Sequence, residues 1–444
     1  MFQTVDQLFS YFETFTNFEK NRISALRHER LDRMRLLLAH AGMPHEGKKI
    51  IHIAGSKGKG STAAFIGSGL SALGYKTGNY LSPHISNYRE RITCNGSFFP
   101  EESYLRAGKT IMDLLDSIDD PEFQSPFGPT AFELLTLLAL LVFRQEGCDR
   151  FVLETGLGGR LDATNVVTPI ASVITPIEME HADVLGDTIE KIAGEKAGII
   201  KPGIPVFSSK QEDAALEVLR KRAKELGSRF YYLPEIYPVV RSRCSLYGSE
   251  VEIEGAEEKK HFSIAMTGDF QAENAALAYL VLRTVETDSE ALFSGFASAT
   301  LPGRIETISS DPLIIVDAAH TESSVRRVIA NFRNMFDDGV IIFGSISGKR
   351  SDAMAALIAP HFHDIIISRP GTFKKSDPKA LLEIFRRFNK DVILQEDPTQ
   401  ALETAKKLAG GKRPILVLGS FYMAGEIRSR VVHKSTQEKV NVLR

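Results

Sequence analysis

The chain has 444 residues, 43% of them hydrophobic and 25% charged, which predicts a soluble globular protein with two domains rather than one. Its net charge of −2 lacks the basic excess of a nucleic-acid-binding protein, so we expect no nucleic-acid partner. Three cysteines without a CxxC pair argue against a disulfide framework and fit a reducing cytoplasm. No apolar run of about 18 residues and no basic signal-peptide start occur, so we expect no membrane partner.

The first part of the chain alternates predicted helices with predicted strands. Residues 1–46 carry apolar residues at helical spacing, and residues 62–73 and 271–285 also predict helices. Short alternating runs from 229 to 266 predict a small antiparallel excursion. The apolar runs that predict buried strands are 49–54, 150–154, 171–175 and 204–207. Strands that alternate with helices indicate a mostly parallel sheet.

A domain boundary is predicted near 298–303, where a helix runs into a Pro-Gly pair. The alternation of strands and helices then restarts. The predicted strands of this second part are 313–316, 340–343, 364–367, 392–394 and 414–418. We therefore expect an α/β fold with one domain over 1–298 and a second, smaller α/β domain over 299–444.

A glycine-rich loop lies between the first predicted strand and its helix. Its residues are Gly55, Ser56, Lys57, Gly58, Lys59, Gly60 and Ser61. Glycines let the backbone approach a phosphate, and the helix N-terminus adds positive potential. Lys59 can reach the β- and γ-phosphates of a nucleotide. The spacing departs from the standard P-loop because a glycine separates Lys59 from Ser61, so a plain glycine turn stays open as the alternative.

Other candidates lie at predicted strand ends. Glu154 ends a buried strand, where a carboxylate favours Mg²⁺ ligation, with an ion pair or helix cap as the alternative. Asp317 ends a strand of the second part, and Arg304 could neutralise a phosphate. Alone, His181 is a weak signal and Lys196 is typical of a solvated helix end.

Taken together, these motifs resemble the folylpolyglutamate synthase and dihydrofolate synthase family of the Mur ligase superfamily. The resemblance runs from about residue 50 to about residue 428. The motifs that carry it occur in family order: 53–61, 82–84, 89–91, 154–165, 185–188, 196–201, 301–304, Asp317 with His320, and 419–422.

The resemblance implies a P-loop-type, mostly parallel sheet domain like the Mur ligase central domain, followed by a Rossmann-like domain. It implies an ATP- and Mg²⁺-dependent ligase that joins L-glutamate to the carboxylate of a folate or dihydropteroate. ATP would convert that carboxylate into an acyl phosphate, which the amine of glutamate then attacks. Two Mg²⁺ ions, a cytoplasmic location and a monomeric state are also implied.

The resemblance also assigns roles to individual residues. The catalytic residues would be Lys59, His181, Lys196 and His320. Lys196 would be the lysine that is carbamylated in the family. The residues that bind the nucleotide would be the glycine loop with Asn274, Arg304 and Asp317. The metal ligands would be Ser82 and Glu154 for one ion and His181 for a second.

Several positions depart from the family pattern. The loop has Ser56-Lys57 where bacterial members usually have Thr-Asn, and Glu180 replaces the usual Asp before the histidine. Ala318 and Thr321 replace Gly and Asn, and residues 348–350 replace an Asp-Lys-Asp. A Mur-type ligase for another carboxylate is the main alternative, although Gly60 after Lys59 favours the folate branch. A non-catalytic nucleotide-binding module is a third hypothesis. No residue separates dihydrofolate synthase from folylpolyglutamate synthase activity.

Overall fold

The computed structural model describes residues 2–17, 30–118, 128–347, 350–371 and 374–442. Its largest sheet has eight strands in the order β4-β3-β2-β5-β1-β6-β7-β8. These strands are β1 Lys49–Ala54, β2 Thr77–Tyr80, β3 Ile92–Cys94, β4 Ser97–Phe98, β5 Arg150–Glu154, β6 Ala171–Ile174, β7 Val206–Ser208 and β8 Phe230–Tyr232. All neighbours pair in parallel except β3, which is antiparallel to both β2 and β4. The mostly parallel sheet expected from the sequence is confirmed.

The antiparallel excursion is a separate sheet of three strands and is smaller than predicted. Its strands are β9 Val239–Ser245, β10 Gly248–Glu254 and β11 Lys259–Ile264. Assigning Phe230–Tyr232 to it was wrong, because this strand pairs in parallel with β7. The helix Asp213–Glu225 joins β7 to β8, and a strand that returns after such a crossover helix pairs in parallel.

Helices cover the eight-stranded sheet on both faces. The helices of this part are Val5–Phe12, Arg30–His40, Lys59–Ala72, Glu101–Ser117, Ala131–Gln145, Ala182–Leu185, Ile189–Ala197, Asp213–Glu225, Leu233–Ile236, Asp269–Val285 and Ala291–Ser298, with 3₁₀ turns at Tyr88–Arg91 and Ala163–Val166. The helix predicted from 62 begins at Lys59, directly after Gly58 in the left-handed conformation. Part of the helical pattern predicted over 1–46 lies outside the described residues.

The remaining sheet has six strands in the order β12-β13-β17-β14-β15-β16, parallel except for β12. Its strands are β12 Glu306–Ser310, β13 Leu313–Val316, β14 Val340–Phe343, β15 Asp364–Ile367, β16 Ile393–Leu394 and β17 Ile415–Leu418. Its helices are Glu322–Met335, Ser351–Ile358, Pro378–Arg386, Pro398–Ala409 and Phe421–Val442, with a 3₁₀ turn at Ala359–His361. This Rossmann-like arrangement matches the prediction, although strand β12 was not expected. The division of the chain at residue 298 stays a prediction.

The order of the strands determines which distant residues meet. Strand β1 lies between β5 and β6, with Ile53 opposite Glu154 and Ala54 opposite Ile174. The loops that follow these three strands therefore lie side by side at one edge of the sheet, where open α/β sheets bind ligands. Within the described residues, no helix is both long and apolar enough to cross a membrane.

Candidate active site

A cleft of about 250 Å³ is lined by loops from the carboxyl ends of both parallel sheets. Every predicted site residue except Gly55 lines it. From the first part these are Ser56, Lys57, Gly58, Lys59, Gly60, Ser61, Ser82, Glu154, His181 and Lys196, and from the rest of the chain they are Asn274, Arg304, Asp317 and His320. The fold thus brings together side chains that are distant in the sequence.

Backbone hydrogen bonds fix the conformation of the glycine loop. The N–H groups of Ser56 and Lys57 both donate to the Pro176 carbonyl, at 2.8 and 3.2 Å. Gly58 has φ +81°, which favours glycine, and a Cβ at this position would collide with the amide oxygen of Asn274. The loop conformation therefore depends on a glycine and on a neighbour far away in the chain.

Two lysines converge on one backbone oxygen beneath the loop. The Gly55 carbonyl accepts hydrogen bonds from Lys59 Nζ at 3.1 Å and from Lys196 Nζ at 2.7 Å. Lys59 Nζ also lies 3.9 Å from the Glu154 carboxylate. Gly55 itself faces Thr175, whose side chain leaves no room for a Cβ. It lies behind the cleft and orients the two amines that line it.

Glu154 is a buried carboxylate with few protein partners. Its Oε2 accepts the Ser82 N–H at 3.0 Å, and a Cβ at Gly60 would lie 3.4 Å from the same oxygen. Burial raises the pKa of Glu154, while Lys59 and the Ser82 N–H oppose that rise. The glycine after Lys59, which departs from the standard P-loop, leaves space beside this carboxylate.

The donors around Glu154 fit Mg²⁺. In the part of the chain that the structure describes, no three His, Cys, Asp or Glu side chains form a metal-binding group. Mg²⁺ in nucleotide sites is usually held by one or two carboxylates together with phosphate oxygens and water. One buried carboxylate beside Ser82 and the glycine loop supplies that kind of set.

Lys57 and Glu180, two departures from the family pattern, form an ion pair. Their charged atoms lie 3.3 Å apart, and the other oxygen of Glu180 lies 3.5 Å from Lys196 Nζ. Burial alone would raise the pKa of Glu180, but Lys57 and Lys196 lower it to about 2. Burial lowers the pKa of Lys196 to about 8, against the opposing effect of Glu180. The sequence analysis did not predict this ion pair. The signal for it was that Lys57 and Glu180 both depart from the family pattern.

The two predicted catalytic histidines lie on different parts of the cleft wall. His181 has φ +49° and precedes the short helix Ala182–Leu185. His320 places Nδ1 2.9 Å from the Ala318 carbonyl, and its ring centre lies 5.4 Å from that of Phe421. A carbonyl only accepts, so Nδ1 carries the proton and Nε2 is the basic nitrogen of the neutral ring.

Asp317 supports the turn that carries Arg304. Its two carboxylate oxygens accept the N–H groups of Ile305 at 2.8 Å and Ala319 at 2.7 Å. Ile305 has φ +44°, so this hydrogen bond holds a conformation that branched residues rarely adopt. The guanidinium of Arg304 lies 5.2 Å from the Phe421 ring centre. Burial raises the pKa of Asp317, and Arg304 opposes that rise.

Some cleft residues were not predicted to act there. Ser323 Oγ donates to Glu178 Oε2 at 2.6 Å, which connects the loop after β6 to the helix after β13. Phe421 belongs to a recognised motif, 419–422, to which no role was assigned. The departure at Thr321 is a helix cap, because its hydroxyl accepts the Ser324 N–H. The departures at positions 348 and 349 lie outside the described residues.

Two protein-family models match this chain and identify the class of protein to which it belongs. The Mur ligase middle domain matches residues 124–282, and the Mur ligase, glutamate ligase domain matches residues 303–421. The fold is therefore that of a Mur ligase.

Individual relatives narrow this class. A dihydrofolate synthase/folylpolyglutamate synthase of Bacillus subtilis (strain 168) is 33% identical over 412 residues, which cover 90% of this chain and 94% of the relative. The structure of Mycobacterium tuberculosis folylpolyglutamate synthase complexed with ADP superposes with a TM-score of 0.86 at 28% identity, covering 96% and 97% of the two chains. A structure described as an FPGS-AMPPCP-folate complex gives a TM-score of 0.82 at 27% identity, covering 97% and 100%. The chain belongs to the folylpolyglutamate synthase and dihydrofolate synthase family.

Proposed function

We propose that this protein uses ATP to join L-glutamate to the carboxylate of a folate through an acyl phosphate. The observation that carries the proposal is the convergence of Lys59 and Lys196 on the Gly55 carbonyl, with Glu154 beside them at the ends of three adjacent strands. A relative of the same fold is described in complex with AMPPCP and folate, which supports both substrates.

The first step is phosphoryl transfer from ATP to the folate carboxylate. A carboxylate is a poor electrophile, and the phosphoryl group converts its oxygen into a leaving group. Little covalent chemistry is required of the protein, so its work is positioning and neutralisation of charge. In our proposal Lys59 and the backbone N–H groups of the loop after Lys57 hold the transferred phosphoryl group, and Arg304 contacts the nucleotide from the opposite wall.

Glu154 and Ser82 would hold a Mg²⁺ ion, with His181 as a ligand of a second. Bound there, Mg²⁺ would neutralise the charge that develops on the phosphate oxygens. Lys196 would carry a carbamate, because a protonated amine cannot be a metal ligand whereas a carbamate anion can. Burial favours this modification, since CO₂ reacts only with the unprotonated amine.

In the second step the amine of glutamate attacks the acyl phosphate, and the tetrahedral intermediate loses phosphate to give an amide. The His320 ring lines the cleft close to Phe421, and in our proposal its basic nitrogen accepts the proton that the attacking amine releases. We further propose two domains that meet at residue 298, a monomeric state and a cytoplasmic location. The family resemblance supports these features.

Release of phosphate from ATP tests the proposal. The reaction contains L-glutamate and Mg²⁺ with dihydropteroate, tetrahydrofolate or a cell-wall precursor as the acceptor. We expect one or both pteridines to stimulate release and to yield a product heavier by one glutamate. Stimulation by the cell-wall precursor alone would support the alternative Mur-type ligase, and no stimulation by any acid would support a nucleotide-binding module. Lys59→Met should abolish release. Lys49→Met, at the exposed start of the preceding strand β1, should not.

A further inference from the structure

The loop between β2 and β3 packs against the part of the chain that carries the six-stranded sheet. Its Ile85 side chain lies against Gly303, where a Cβ would come within 2.9 Å of Ile85 Cδ1. The Ile85 carbonyl lies against Gly425 in the helix Phe421–Val442, and a Cβ at Gly425 would collide with it. Two positions without side chains thus allow this loop to dock closely.

Glu90 fixes the backbone of the docked loop. Its carboxylate accepts the Ile85 N–H at 2.6 Å and the Ser86 N–H at 3.2 Å. Glu90 lies in the 3₁₀ turn Tyr88–Arg91, and its side chain is only 11% exposed. The segment from 85 to 90 is therefore a closed turn with an acidic centre. Ser82, a predicted metal ligand, lies just before it in the chain.

Arg428 connects this acidic turn to the six-stranded sheet. Its Nη1 donates to Ser86 Oγ at 2.9 Å and lies 3.6 Å from the Glu90 carboxylate. Its Nε lies 3.0 Å from both carboxylate oxygens of Glu306, in strand β12. Arg428 is one helical turn after Gly425, so both residues face the same loop. A guanidinium can serve two acceptors in fixed directions, which an ammonium cannot do equally well.

The connection continues to the opposite wall of the cleft. Glu306 Oε2 also accepts the Gly303 N–H at 2.8 Å, and the next residue is Arg304. One continuous set of polar contacts therefore runs from the loop that begins at Ser82, through Arg428 and Glu306, to the turn that presents Arg304.

We propose that Arg428 is a positioning residue. It holds the cleft wall that carries Ser82 in a fixed position relative to the wall that carries Arg304, as the phosphoryl transfer requires. Arg428 contacts neither Ser82 nor Arg304 directly. It acts on them through the 85–90 turn and through Glu306. Without it, Ser82 and Arg304 would no longer be held relative to each other. The kinetic part of this inference rests on the proposed ligase function, whereas the structural part does not.

The structural part is tested by hydrogen exchange of the backbone amides of Ile85 and Ser86, which requires no turnover. We expect these amides to exchange about tenfold faster or more in Arg428→Met, because Glu90 loses its cationic partner. The matched control is Arg430→Met on the same helix, whose side chain pairs with Glu426 and Thr399 instead. It should leave that exchange unchanged. Equal exchange in Arg428→Met and in the unaltered protein would overturn the proposal.

The kinetic part is tested with the same variants. We expect Arg428→Met to lower kcat by about tenfold or more, with KM for ATP changed by less than about threefold, because the loss is one of alignment. Ser86→Ala removes one hydrogen bond of the same set and serves as a milder variant, with a smaller fall in kcat. A kcat equal to that of Arg430→Met, despite faster exchange at 85 and 86, would also overturn the role of Arg428. Absence of turnover in the unaltered protein would instead count against the proposed function.

Discussion

Removal of the Lys196 amine should abolish turnover, and a small carboxylate should restore part of it. We expect Lys196→Ala to lose more than about 99% of phosphate release, since a catalytic group is deleted rather than weakened. The truncated side chain leaves a buried space beside the Gly55 carbonyl and Glu180. Added acetate could place an anion there, in the position of the carbamate.

The magnitude of the pH effect follows from the burial of Lys196. Burial lowers its pKa from 10.5 to about 8. At pH 7.5 about a quarter of the amine would then be neutral, against about 0.1% for an ordinary lysine, an enrichment on the order of 200-fold. The neutral fraction falls about tenfold from pH 7 to pH 6. Forming the carbamate from the neutral amine and CO₂ also releases one proton. At constant dissolved CO₂ and low occupancy, the carbamate should therefore fall by about 100-fold from pH 7 to pH 6.

The assay combines kinetics with a direct observation of the carbamate. Phosphate release is measured from about pH 6 to pH 9 at fixed dissolved CO₂, and a ¹³C spectrum is recorded after incubation with ¹³C-bicarbonate. We expect one carbamate resonance in the unaltered protein and none in Lys196→Ala. The control is Lys191→Ala, which removes an exposed lysine from the same helix. It should keep both the resonance and the activity.

Two results would refute this reasoning. Full activity of Lys196→Ala without acetate would show that neither the amine nor its carbamate takes part. Activity that stays constant in rigorously CO₂-free buffer, with no carbamate resonance, would show that Lys196 acts as a plain amine. A folding defect is distinguished by the melting temperature. Because the pKa of Lys196 is lowered, its protonated form costs folding free energy below about pH 8, and this cost disappears towards pH 10.5. Removal of this cost opposes the loss of buried contacts in Lys196→Ala, so a large fall in melting temperature at pH 7 would indicate a folding defect.

Three further predictions concern the cleft. Gly58→Ala should weaken ATP binding by about tenfold or more in calorimetry, since both its positive φ and the close Asn274 amide oxygen oppose a Cβ. Gly74→Ala also has a positive φ but has open space around it, and it should bind ATP normally. Glu154→Gln should raise the Mg²⁺ concentration needed for half-maximal activity by about tenfold or more, and an unchanged Mg²⁺ titration would contradict its role as a ligand. Ser323→Ala should raise KM for ATP by about twofold to tenfold through loss of the hydrogen bond to Glu178. An unchanged KM would show that this contact does not support ATP binding.

The sequence predicted the buried parallel strands well because they are continuous apolar runs with few alternatives. Strands β2 and β12 were not predicted. Their residues, Thr77–Tyr80 and Glu306–Ser310, are short and partly polar segments, so neither contains an apolar run. Phe230–Tyr232 is a short aromatic run of half-buried residues, and its pairing with β7 is decided by the helix that precedes it. Local pattern reveals where strands lie, whereas pairing is a property of the whole chain.

The candidate site was predicted residue by residue, but its contacts were not. Nothing in the spacing of Lys59 and Lys196 indicates that they share one carbonyl, because that depends on the order of β5, β1 and β6. The Lys57–Glu180 ion pair likewise appears only when loops after two different strands are brought together. Asp317 was expected at the nucleotide. It lines the cleft, and its hydrogen bonds to the N–H groups of Ile305 and Ala319 were not predicted.

The shared Gly55 carbonyl has a consequence for the entropy of binding. Long lysine side chains lose up to about 2 kcal/mol of rotamer freedom when they are ordered. Here Lys59 and Lys196 are both held by the same oxygen before any ligand arrives, and Lys196 is almost fully buried. Their ordering is therefore accomplished when the chain folds, and the binding of phosphate need not supply it. A backbone carbonyl that no substitution can remove thus keeps the Lys59 amine in place for a phosphate and the Lys196 amine in place beside it.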